Sequence, residues 1–172
     1  MRDVSESLAG RTAILELPLF SHTELPRQDL GETLWAGGYP SVALQPDAAA
    51  ALAGPMAGPL FEGWVVTEAI KAFMAQGRKP ELYFWRSHDG LEVDLLISID
   101  GKLQAIEIKL TASPSAGHLQ PLNRFLKTVG SEAWEQGLIV CRTAKARSLR
   151  GGHQAMPWQQ FQAWLSIVNK LR

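Results

Sequence analysis

The clearest signal along the chain is a stripe of apolar side chains at helical spacing. Phe61, Trp64, Val65, Ala69, Ala72 and Phe73 fall on one face of a 3.6-residue period, opened by Pro59 and closed by Gly77. Glu68 interrupts that stripe, where a carboxylate is costly to bury without a partner. Glu62 lies off the stripe and reads as solvated. Three strand-like runs follow, at Glu81–Arg86, Glu92–Ile99 and Lys102–Leu110. The middle one alternates, with Val93, Leu95, Ile97 and Ile99 on one face and Glu92, Asp94, Leu96 and Ser98 on the other. Asp100-Gly101 between the second and third runs is a two-residue hairpin signal. A helical pattern over His118–Val129, a wholly apolar run at Gly137–Cys141 and a last helix opened by Pro157 complete the series. The order helix, three strands, helix, strand, helix predicts a compact α/β sandwich around a mixed sheet.

The first 58 residues behave differently. Residues 1–44 read as an N-terminal extension, with a strand at Thr12–Leu17 and a short helix within Pro26–Ala36. Residues 45–58, rich in Ala, Gly and Pro, read as a linker, and 59–172 as the main domain. The extension's apolar residues, among them Ile14, Leu15, Leu17, Leu34 and Trp35, are expected to fold onto the core or to cover a second copy in a homodimer.

The hairpin has a chemical consequence. If Ile99 pairs with Lys102, Asp94 lies opposite Glu107 and Glu92 opposite Lys109, all on one face. Two carboxylates side by side on adjacent strands repel, so one keeps its proton or a cation neutralises the pair. Lys109 and a divalent Mg²⁺ or Mn²⁺ are the available cations, and such a metal, with substrate phosphate, suits phosphodiester hydrolysis. Glu68 would complete the site if its helix packs against this face. The competing reading leaves Asp94 and Glu107 on an uncovered sheet face, with Glu92 and Lys109 a plain ion pair.

Composition adds limits. The 172 residues carry 17 Lys/Arg and 17 Asp/Glu, but residues 1–58 hold three basic against seven acidic and residues 59–172 fourteen against ten. No acidic residue follows Glu135, whereas Arg142, Lys145, Arg147 and Arg150 do, which points to an anionic partner such as DNA or RNA. A solvated basic face is the plainer alternative. A single cysteine, Cys141, excludes an intrachain disulfide, and the scattered histidines offer no zinc motif. No apolar run approaches a membrane span and no signal peptide is visible, so a cytoplasmic protein is expected.

Asp94 followed by Glu107-Ile108-Lys109 resembles the D…(D/E)xK signature of the PD-(D/E)xK nuclease superfamily. The stretches Gly58–Ala69, Tyr83–Arg86, Gly90–Leu96 and Ile106–Lys109 are more closely similar to the C-terminal domain of a prokaryotic AAA-type ATPase family. Glu6–Leu17 and Leu34–Pro40 resemble the end of that family's ATPase core and the stretch after it. There is no G-x-x-x-x-G-K-[ST], so no ATPase activity is expected, and the long helical region between the two pieces is missing.

The resemblance implies a restriction-endonuclease-like three-layer α/β/α core with a central mixed sheet. It implies Asp94, Glu107 and the Ile108 carbonyl as metal ligands, Lys109 near the attacking water and Glu68 as a helix-borne accessory carboxylate. The expected function is a Mg²⁺- or Mn²⁺-dependent nuclease. The alternative is a catalytically silent nucleic-acid-binding or assembly module left over from such an ATPase.

Overall fold

The computed structural model describes residues 57–168, together with Ser21, Asp29, Leu30 and Pro55. Helix α1 (Ala57–Met74) is followed by strands β1 (Leu82–Arg86), β2 (Glu92–Ile99) and β3 (Lys102–Lys109). A 3₁₀ turn at Ala116–Leu119 leads into α2 (Gln120–Val129). Then come β4 (Leu138–Cys141), β5 (Arg147–Ser148), β6 (Gln154–Pro157) and, after a 3₁₀ turn, α3 (Phe161–Val168). The strand and short helix expected in the extension lie outside the described residues, apart from Asp29 and Leu30. So do most of the linker and the homodimer contact built on that extension.

The six strands form one mixed sheet in the order β1-β2-β3-β4-β6-β5. The first three are antiparallel, β4 is parallel to β3 and β6 is parallel to β4, while β5 closes the far edge antiparallel to β6. Each face carries its own apolar cluster. Phe61, Val65, Ala69 and Phe73 of α1 and Phe161 and Leu165 of α3 pack on Leu95, Ile97, Ile106, Ile108 and Val140. Leu122 and Phe125 of α2 pack on Leu96, Ala105 and Ile139 from the other side. Burying each such side chain is worth about 1.5–3 kcal/mol, which fixes the helices to the sheet. Leu30 joins the α1–α3 cluster, so this part of the N-terminal extension packs on its own domain.

The hairpin forms as the sequence implies. Asp100 (φ 52°) and Gly101 (φ 75°) both take positive φ, as a type I′ turn requires. The ladder then runs from Ile99↔Lys102 to Leu95↔Ile106. There the expected alternation fails. Val93 does not share a face with Leu95 but packs beside Leu96 in the α2 cluster. The cause lies across the sheet: Tyr83 pairs with Leu96 and Trp85 with Val93, so Phe84 alone opposes both Asp94 and Leu95. One extra residue on β2 is a β-bulge, which turns the chain before it over by one face.

The β5–β6 hairpin is absent from the sequence reading. Gln154–Pro157 has no β-branched residue and follows Gly151-Gly152, so it reads as loop. Its pairing with β4 supplies the strand.

Candidate active site

The bulge and the end of β3 meet at one end of the sheet. The β2–β3 ladder stops before Asp94, and Asp94 turns its carboxylate toward β3. Its Oδ2 accepts the backbone N–H of Ile108 at 2.7 Å and a hydrogen bond from Lys109 Nζ at 2.7 Å. Lys109 Nζ also stands 2.8 Å from Glu107 Oε2. Asp94, Glu107 and Lys109 therefore form one compact group, with a single ammonium between two carboxylates.

Glu107 is the unusual member. Its side chain is 0% exposed, and neither carboxylate oxygen has a hydrogen-bond partner. The 2.8 Å approach of Lys109 is an ion-pair contact without the direction of a hydrogen bond. Burial, and then the negative charge of Asp94, push the Glu107 carboxyl up to about 7. Burial works against the charge on Lys109, but its hydrogen bond to Asp94 and the negative charge of Glu107 outweigh that and its pKa moves up. The group is buried enough to make electrostatics strong and carries more negative than positive charge.

Of the α1 carboxylates, Glu62 is the one whose titration feels this group. Its pKa is raised by burial first and then by Asp94 and Glu92, with Lys109 opposing. The coupling brings the start of α1 within electrostatic reach of Asp94 and Lys109. Glu68 sits six residues further on, inside the α1 packing face, and pairs with Lys71 at 2.9 Å, both side chains buried. The interactions described for it do not join it to Asp94, Glu107 or Lys109. Glu92 pairs with Arg86 of β1 at 3.0 Å, not with Lys109 across the hairpin, because the bulge ends that register. No pattern in the sequence singled out Glu62, since its approach depends on how α1 crosses the sheet.

The other expected residues divide. Ile108 enters through its N–H, which holds Asp94. Arg142, Lys145, Arg147 and Arg150 are all exposed. Arg142 directly follows Cys141, the partner of Lys109 on β4, and its N–H donates to the Thr111 carbonyl at 2.8 Å, so it flanks the site. Arg147 lies at the opposite sheet edge, on β5. Cys141 is buried, as its apolar run implies, and burial raises its thiol pKa. A cavity of about 390 Å³, lined by Lys102, Gln104, Trp134, Glu135 and Gln136, lies at the start of β3, away from this group.

Among the described residues no cluster of three or more His, Cys, Asp or Glu side chains is placed to hold a metal ion. Two carboxylates are nevertheless a fitting donor set for a hard cation, which takes one or two carboxylates and completes its shell with water and phosphate oxygens. The orphaned oxygens of Glu107 are the observation in favour of that fit. Among the described residues no helix is long and apolar enough to cross a membrane.

The chain belongs to the family described as Domain of unknown function (DUF4143), whose match spans residues 57–161. No curated protein and no solved structure matches it.

Proposed function

For this member of the DUF4143 family we propose metal-dependent hydrolysis of a phosphodiester in DNA or RNA, on a PD-(D/E)xK, restriction-endonuclease-like domain. The observation that carries the reading is Glu107: a fully buried carboxylate whose two oxygens lack hydrogen bonds, held beside Asp94 and Lys109. A fold selected only for stability has little use for such a group, because a buried carboxylate with one shared ion-pair contact and no directed hydrogen bond is costly.

Asp94 and Glu107 would hold Mg²⁺ or Mn²⁺, which would supply Lewis acidity at the phosphate and a more acidic water. The chain's own residues do the rest. The Ile108 N–H fixes the Asp94 carboxylate. In the metal-free chain the Glu107 carboxyl is pushed up to about 7, so a cation binding there would displace its proton. Lys109 Nζ offsets negative charge as the water oxygen bonds to phosphorus and the ester oxygen leaves. Glu62 faces the same space from α1. The exposed Arg142 would meet a neighbouring phosphate.

One observation favours a second reading, a silent nucleic-acid-binding or assembly module derived from an AAA-type ATPase. Lys109 already stands against both carboxylates, at 2.7 and 2.8 Å, in the place a cation would take. Calorimetry with Mn²⁺, paired with a cleavage assay on plasmid and single-stranded substrates, separates the two. Wild-type protein is expected to bind Mn²⁺ and cleave, and Asp94→Asn to lose both while keeping its melting temperature. Cleavage undiminished in Asp94→Asn, or no Mn²⁺ binding with or without substrate, would overturn the nuclease reading.

A further inference from the structure

The two edges of the sheet are finished differently. At one end β5 has only two residues, Arg147 and Ser148, both exposed. A short, charged edge is one way folds keep an open row of backbone groups from pairing with another chain. At the other end β1 is five residues long, and Leu82–Trp85 carries neither a charge nor a proline. The bulge lies on β2, so β1 itself keeps a regular alternation.

The direction of its backbone groups follows from the bonds at its two ends. The Glu81 carbonyl accepts the Ser98 N–H, and the Ser87 N–H donates to the Leu91 carbonyl. Glu81 and Ser87 therefore face β2, and so, by alternation, do Tyr83 and Trp85. Leu82, Phe84 and Arg86 turn their N–H and C=O outward, where among the described residues no strand meets them. The side chains are open on both sides of the sheet as well. Phe84 lies with Leu82 on the α1 side and is 74% exposed, and Tyr83 lies with Trp85 on the α2 side and is 55% exposed. A ligand or helix docked on one face would cover one ring and leave the other. A strand added to the edge covers both rings and the backbone row together.

Length and charge select that strand. Two copies of one edge can pair antiparallel about a two-fold axis. With the axis at Phe84 all five residues of β1 pair. Leu82 then meets Arg86 of the second copy, Tyr83 meets Trp85 and Phe84 meets its own equivalent, while Glu81 falls opposite Ser87, so no like charges oppose. An axis at Leu82 would set Arg86 against Arg78, and an axis at Arg86 would set arginine against arginine. The Phe84 register also uses every outward group of Leu82, Phe84 and Arg86, for about six backbone hydrogen bonds. From their exposures, the two rings offer roughly 250 Å² per copy, against about 800 Å² per partner in a stable complex. The pairing is therefore weak and concentration-dependent.

We propose that β1 is a self-association edge: two copies of this chain pair their β1 strands antiparallel around Phe84 and join their sheets into one. The proposal is independent of the nuclease reading and uses a different surface from the N-terminal extension.

Sedimentation velocity on the full chain, from about 5 μM to about 500 μM, tests it, and wild type is expected to pass from monomer to dimer over this range. Phe84→Pro removes an N–H that points away from β2, so the melting temperature should hold while the dimer weakens about tenfold or more. Phe84→Lys keeps the backbone, places two ammonium groups face to face and should weaken the dimer by at least as much. Its position is exposed, so it decides the matter if Phe84→Pro fails to fold. Under mild oxidation Phe84→Cys should link to its equivalent, since directly opposed Cα atoms stand about 5.5 Å apart, and Tyr83→Cys should link far more slowly. Wild type that stays monomeric at the highest concentration would leave the edge to a strand of another protein and overturn the proposal. A dimer undiminished in Phe84→Lys would place the contact elsewhere, on the N-terminal extension first, and overturn it as well. Faster linking through Tyr83→Cys than through Phe84→Cys would overturn the register.

Discussion

At the scale of single residues, burial alone does not separate a working carboxylate from a structural one; partners do. Glu68 and Glu107 are both buried, yet Glu68 is matched by Lys71 one helical turn away, while both Glu107 oxygens lack a hydrogen bond. Glu62 is exposed and would pass for a solvated helix residue, but its pKa responds to Asp94, Lys109 and Glu92. The two α1 glutamates should therefore respond in opposite ways to substitution. Glu68→Ala removes the carboxylate paired with the buried Lys71 and should cost about 3 kcal/mol or more in urea unfolding, with little change in Mn²⁺ binding per folded molecule. Glu62→Gln should leave the unfolding midpoint in place and weaken Mn²⁺ binding about tenfold, as loss of a supporting group does. A Glu62→Gln protein with wild-type Mn²⁺ affinity and cleavage would detach α1 from the site.

At the scale of elements, what could be read in the sequence was what neighbours along the chain decide. The alternation of Leu95, Ile97 and Ile99 and the Asp100-Gly101 turn are local, and they fixed the β2–β3 register and with it the nearness of Asp94, Glu107 and Lys109. The bulge at Asp94 and Leu95 needs β1 as its partner, so the face of Val93 was misread. Strand β6 likewise exists through its partners. One of them is a buried histidine just before it. His153 Nδ1 accepts the Gly137 N–H at 2.9 Å, so the proton sits on Nε2, 3.1 Å from Asn123 Oδ1. A Cβ on Gly137 would come within 3.0 Å of that ring, so the backbone of the β4 entry is pressed against it. Burial lowers the His153 pKa below its ordinary 6.5, and protonating Nδ1 would remove the acceptor for Gly137. The unfolded chain thus takes up this proton before the folded one. The contribution of this imidazole should be complete above the ordinary value of 6.5 and be lost as pH drops through it toward the lower folded value, while the raised Glu107 carboxyl works the other way in both proteins compared. Urea midpoints from about pH 7 to about pH 5 should drop more steeply in wild type than in His153→Gln, and parallel curves would assign the loss to other groups.

At the scale of the whole molecule, zero formal net charge conceals a division of labour. Acidic side chains gather at one end of the sheet, where Glu62, Glu92, Asp94 and Glu107 lie together, and repel a phosphate unless a cation sits among them. The stretch beyond Glu135 carries the compensating field. Arg142 borders the site, and Lys145, Arg147 and Arg150 lead from it toward the β5 edge, all exposed. If these side chains meet phosphates, binding must weaken with salt, by a slope of ~0.7 in log K per log salt for each contact to a single strand. Replacing Arg142, Lys145, Arg147 and Arg150 by Ala should therefore lower both affinity and slope, by up to ~0.7 for every phosphate contact removed. A four-alanine variant with the wild-type salt slope would return the basic segment to the role of a solvated face.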